Sequence, residues 1–96
     1  MITTKQRAKL RAIANGIETI FQVGKGGINE AFAAQVDDAL RAREIVKIKV
    51  LENSLYTARE AAGQLSEMTG ADVVQVIGNR FVLYKRNEKE PVIILE

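Results

Sequence analysis

The residue types most able to do chemistry gather in one short stretch, Val23-Gly24-Lys25-Gly26-Gly27-Ile28-Asn29. Where a residue lacks a Cβ, another backbone or a ligand can come close. Successive N–H groups in such a turn can converge on one anion. A helix opening just after the turn adds its free N–H groups and positive dipole end. Lys25 at the tip supplies a mobile positive charge, and a hydrogen bond to a charged group contributes about 1.5–3 kcal/mol. The chemistry is therefore the holding of an anion such as phosphate. Two phosphate motifs are excluded. The P-loop needs Ser or Thr after its Lys, and Gly26 stands there. The dinucleotide fingerprint, counted from Gly24, needs a last Gly where Asn29 stands. What remains is Gly-x-x-Gly from Gly24 to Gly27, a pattern that also fits a plain tight connection between a strand and a helix. In KH-type modules a Gly-x-x-Gly loop clamps backbone nucleotides.

Other chemistries lack their residues. The chain has no Cys and no His. Disulfides, thiolate nucleophiles and Cys-ligated zinc are thereby excluded, along with the usual general base and neutral metal ligand. Ser54 and Ser66 have no His to activate them. Asp37 and Asp38 are adjacent, so on a helix they point about 100° apart and do not converge as an acid–base pair. No clustered carboxylates suggest a magnesium site. The expectation is a protein without catalytic residues, metal or cofactor.

Charge is distributed unevenly. The net charge is +2 over 96 residues, with 14 Lys and Arg against 12 Asp and Glu. Residues 1–29 hold Lys5, Arg7, Lys9, Arg11 and Lys25 against Glu18 alone. A one-sided basic surface concentrates polyanions. On a helix, Lys5 with Lys9 and Arg7 with Arg11 form like-charge i, i+4 pairs on the outward side, each costing a few tenths of a kcal/mol. An external anion would offset that cost. A solvated helix face and an organelle transit peptide are the plainer readings of the same residues. Lys47 and Lys49 extend the basic surface if no helix covers their strand face; Lys85 and Arg86 are weaker candidates, with Glu88 and Glu90 nearby. Glu30, Asp37 and Asp38 suggest a second reading, an acidic helix face that serves a protein–protein adaptor without RNA affinity.

These residues need elements to position them. The length fits one domain spanning residues 1–96. No apolar run nears the ~18 residues of a membrane helix, and the start lacks a signal-peptide hydrophobic region; a soluble, cytoplasmic protein is expected. Thr3-x-x-Gln6 is a capping box, and Leu10, Ile13, Ala14 and Ile17 recur at helical spacing. This predicts a helix over about 4–15, with Gly16 as a left-handed stop. Thr19 to Val23 suits a strand. Asn29 is an N-cap for a helix over about 30–43 with Phe32, Val36 and Leu40 inward. Val46, Ile48 and Val50 alternate with Lys47 and Lys49 in a half-buried strand. Thr57-x-x-Glu60 caps a third helix, whose Leu65 and Met68 read as core and which Gly70 closes. Two strands, Val73 to Ile77 and Phe81 to Tyr84, flank Gly78-Asn79, which suits a type II′ turn. Val92 to Leu95 suggests a short edge strand opened by Pro91. The order α-β-α-β-α-β-β gives an α/β fold of the two-layer α+β type. Its four-stranded sheet is mixed, because strands joined through a helix run parallel and the final hairpin antiparallel.

At this point the sequence resembles a known family. Thr3-Thr4-Lys5-Gln6-Arg7, Leu10-Arg11, the block from Phe21 to Asn29, the block from Ala39 to Val50 and the block from Gly78 to Arg86 are similar to the bacterial YhbY-type proteins. These are the free-standing form of the CRM domain (chloroplast RNA splicing and ribosome maturation). The resemblance implies a fold similar to the C-terminal domain of translation initiation factor three. It also implies RNA binding and association with precursors of the large ribosomal subunit during assembly. The family's Gly-x-x-Gly loop falls on Gly24 to Gly27. The expected RNA-binding residues are then Gly24, Lys25, Gly26, Gly27, Lys5, Arg7, Lys9, Arg11, Lys47 and Lys49. Phe21, Phe32 and Phe81 are expected in the core, leaving Tyr56 and Tyr84 as the aromatics with a polar tip. Recognition of shape and backbone is expected over base reading. The partner would be ribosomal RNA of precursor large subunits, with no membrane and no small-molecule substrate; the oligomeric state stays open.

Overall fold

A computed structural model describes residues 2–95. Helix α1, Thr4–Ala14, starts where the Thr3 hydroxyl accepts from the Gln6 N–H and the Gln6 side chain accepts from the Thr3 N–H. It ends without a left-handed residue. Asn15 keeps a right-handed φ of −62°, and the N–H groups of Gly16 and Ile17 donate to the carbonyls of Ile13 and Ala14. These i→i+3 bonds tighten the last turn and remove the need for a stop at Gly16.

Strand β1, Thr19–Val23, leads through residues 24–29 into helix α2, Glu30–Arg43, capped by the Asn29 side chain, which accepts from Phe32 N. Strand β2 is Ile45–Val50, and helix α3, Ala58–Thr69, carries the second capping box and ends at Gly70 with φ 79°. Strands β3, Asp72–Ile77, and β4, Arg80–Tyr84, form the closing hairpin. Gly78 takes φ 58° while Asn79 does not enter the positive region, the sign pattern of a type II′ turn.

The sheet order is β1-β2-β4-β3, with β1 parallel to β2 and the other pairs antiparallel. Its two inner strands pair in unbroken register. Each outer strand carries an irregularity, at Ile20 in β1 and at Val74 in β3, where it advances two residues against one of its neighbour. At the β3 bulge the guanidinium of Arg7 donates to the carbonyls of Val73 and Val74.

Helices α2 and α3 cover one face, around Val36, Leu40, Ile48, Leu65, Phe81 and Leu83. Helix α1 covers part of the other, where Leu10 and Ala14 bury Ile45, Val74, Val82 and Tyr84. Phe81 is fully buried, while Phe21 and Phe32 are half-buried and meet edge to face at 5.8 Å. Leu65 is core as expected. Met68 is not: it is 37% exposed, where the Gln64 amide donates to its sulfur.

Residues 92–95 form no strand. Glu44 explains why. It caps α2 in the left-handed region at φ 66° and is fully buried. Its carboxylate accepts from the backbone N–H groups of Asn87, Val92 and Ile93. The amides that a ladder would need are thus committed to a side chain, and the tail is drawn back over the end of α2.

Candidate nucleic-acid interface

The loop after β1 is built by its neighbours. The Leu51 N–H donates to the Val23 carbonyl at 2.9 Å, extending the β1–β2 pairing to the loop's base. The Gly27 N–H then donates to the Gly24 carbonyl at 3.0 Å, closing a turn with Lys25 and Gly26 at its tip. Gly27 sits at φ 72°, where a side chain would be strained. A Cβ on Gly24 would come within 3.4 Å of Leu51, and one on Gly27 within 3.5 Å of the Tyr56 ring. Gly26 differs: it lies outside the left-handed region, and a Cβ there would meet nothing within 4 Å.

Lys25 and Gly26 are exposed. The Gly27 amide serves the turn itself, so it is not one of the amides offered to a ligand. At the start of α2 the Asn29 side chain takes the Phe32 N–H, leaving the N–H groups of Glu30 and Ala31 outside the cap. Two exposed acids, Glu30 and Glu52, stand near the loop. Tyr56 is half-buried beside Gly27 and packs against the core.

The structure divides the expected basic residues. The sheet end with the loop carries Val23, Val50, Arg80 and Ile77. Tyr84 and Asp72 mark the other end, four residues or about 13 Å away along β4. Helix α1 begins at that far end, with Gln6 lining a hollow beside Asp72 and Tyr84. It finishes near mid-sheet, with Asn15 beside Lys47, Gln75 and Arg80. Lys5 is exposed but remote from the loop. Arg7 does not point outward, because it is half-buried on the β3 carbonyls. Lys9 donates to the Ile94 carbonyl at 2.7 Å and so holds the tail. Arg11 is exposed on the half of α1 nearer the loop.

Lys47 and Lys49 are half-buried on the sheet face away from α2 and α3. Lys49 stands opposite Gln22 on one side and Arg80 on the other. Arg80 was missed from sequence; its alternation with Phe81 and the hairpin register, which sets it opposite Ile77, were the available signal, while its place beside Lys49 comes from the β2–β4 pairing. Lys85 is committed, donating to Asp37 at 3.0 Å and to the Thr69 carbonyl at 2.6 Å. Asp37 also pairs with Arg41 at 3.0 Å. Among the described residues no group of three or more His, Cys, Asp or Glu is placed to hold a metal ion, and no helix is long and apolar enough to cross a membrane.

Residues 2–85 match a protein-family model described as the CRS1 / YhbY (CRM) domain. The chain is similar to the "Probable RNA-binding protein YqeI" of Bacillus subtilis (strain 168), at 41% identity over 95 residues, 99% of each chain. It is 29% identical over 91 residues to an "RNA-binding protein" of Haemophilus influenzae, covering 95% of this chain and 92% of that one. A solution structure of the hypothetical protein SAV1595 from Staphylococcus aureus superposes with a TM-score of 0.82 at 45% identity, over 100% of both chains.

Proposed function

Because the chain belongs to the CRS1 / YhbY (CRM) domain family, we propose that it binds RNA by gripping the sugar–phosphate backbone at the Gly24–Gly27 turn. The observation that carries this reading is Gly26. Nothing within the molecule requires a glycine there, by backbone angle or by packing. A glycine in place of alanine at such a position lowers stability by about 0.4–1 kcal/mol through the freedom of the unfolded chain. Close approach of an external backbone offsets that cost. Lys25 then contacts phosphate from the tip, and the N–H groups of Glu30 and Ala31, left outside the Asn29 cap, open the helix that follows the turn.

The RNA assigned is ribosomal RNA of precursor large subunits, bound during assembly in the cytoplasm by one domain that spans the chain. The resemblance of its sequence blocks to YhbY-type proteins supports this assignment. The adaptor reading weakens, because Asp37 of the acidic helix face is taken by Arg41 and Lys85.

Filter binding of ribosomal RNA tests the grip. Lys25→Ala is expected to lower affinity about tenfold, the equivalent of roughly 1.4 kcal/mol, with an unchanged melting temperature. Equal affinity at matched salt overturns the loop as the contact. Sedimentation of a lysate through sucrose tests the assignment of the RNA: the protein is expected with immature large subunits, and its absence from them overturns that assignment.

A further inference from the structure

We infer that the half of the sheet left open by α1 is a second contact for RNA, receiving a single-stranded segment that continues from the glycine turn. This rests on the reading above and extends it to a separate surface. Six side chains share the open face: Gln22 from β1, Lys47 and Lys49 from β2, Arg80 from β4, and Gln75 and Ile77 from β3.

Their placement follows from the fold. Alternation sends Val46, Ile48 and Val50 into the core under α2 and α3 and turns the two lysines the other way. The same alternation turns Arg80 away from Phe81. Helix α1 stops at Ala14, so that Asn15 stands at the rim of the hollow and the surface beyond is uncovered. The side chains of Lys47, Lys49 and Arg80 form no hydrogen bond or ion pair with other described residues. The one acid among the described strand residues, Asp72, lies at the far end beside Tyr84.

Charge selects the occupant. Glu18 shares a hollow with Lys47 at one border of the face, but no acid stands between the paired Lys49 and Arg80, and neighbouring cations suit a polyanion. The two amides add donors for phosphate or ribose oxygens. Ile77 is 63% exposed and offers an apolar floor for a base or sugar. Among the described residues no aromatic ring lies on this half of the face, so the stacking used by other sheet-based RNA modules has no platform here and the backbone is the part held.

Continuity fixes the direction. Gln22 precedes Gly24 by two residues, and Lys49 pairs with it. The row Gln22–Lys49–Arg80–Ile77 crosses three inter-strand gaps, about 14 Å at ~4.8 Å each. The strand therefore runs from the turn across the sheet, perpendicular to β2.

The test is the salt dependence of binding to a labelled oligouridylate long enough to reach from the turn across the sheet. Wild type, Lys25→Ala and the double variant Lys49→Gln with Arg80→Gln are compared. Each phosphate contact on a single strand contributes about 0.7 to the log–log slope. The double variant is expected to flatten the slope by about 1.4 while Lys25→Ala flattens it by about 0.7. A double variant with the wild-type slope, beside a Lys25→Ala that binds weakly, overturns the second contact and leaves the turn standing. If neither variant changes the slope, the RNA reading itself falls. Should the double variant not fold, Ile77→Asp places an acid on an exposed position of the same face. Weakened binding with an unchanged melting temperature supports the inference, and unchanged binding overturns it.

Discussion

Three residues show how type and place combine. Gly26 and Gly27 are neighbours with different reasons to lack a side chain: Gly27 needs its left-handed φ, and Gly26 needs only the room around it. Gly27→Ala should cost about 1–2 kcal/mol of stability. Gly26→Ala should leave stability equal or slightly higher while weakening RNA binding; thermal melts and filter binding on the two variants separate these effects. Glu44 is the reverse case, a side chain where backbone angle favours glycine. Its strain of about 1 kcal/mol is outweighed by a buried carboxylate that accepts from three backbone N–H groups. Glu44→Ala is expected to cost about 3 kcal/mol, a fall of roughly 10–20 °C in melting temperature for a domain this size. Hydrogen exchange at Val92 and Ile93 should quicken with it. Nothing local to Glu44 announced this role, since the residues it binds lie more than forty positions away.

Elements with local punctuation were legible. Both capping boxes, the Asn29 cap, the left-handed Gly70 and the Gly78-Asn79 turn each depend on residues within four positions of one another, and all seven helices and strands stand where such signals put them. Apart from the Gly16 stop, replaced by local i→i+3 bonds at the end of α1, what failed depends on distant partners. Val92 to Leu95 has the composition of a strand, but its amides are taken by a carboxylate from α2. Met68 has helical spacing, but it stands half-open at a hollow it shares with Ala33 and Ala34 of α2 and with Lys85. Helix α1 is the sharpest case for the site. Its four bases looked equivalent, yet Arg7 supports the β3 bulge and Lys9 holds the tail. Arg7→Ala is therefore expected to destabilise the protein by about 1–3 kcal/mol, through carbonyls left without a donor. Lys5→Ala should leave the urea midpoint unchanged.

At the scale of the whole molecule the two sheet faces divide the labour. The face under α2 and α3 supplies most of the core, and the face under α1 is half core and half open. Tyr84 lies on the covered half, where burial raises its phenol above the ordinary tyrosine value of about 10 and the nearby Glu44 charge raises it further. The neutral form is thus favoured by folding. The contribution is fully present below the ordinary value and is lost as pH rises through the raised one. Urea midpoints should fall above about pH 10 in the wild type and less steeply in Tyr84→Phe. The bulges at Ile20 and Val74 have a consequence for this protein in company. Both sit on the outermost strands, where unpaired amides and carbonyls would otherwise offer a neighbouring copy a template for pairing. Each extra residue breaks the regular repeat of those groups and twists the strand away from flatness. A copy approaching either border meets no continuous ladder to zip onto, and growth into fibrils is denied its first step.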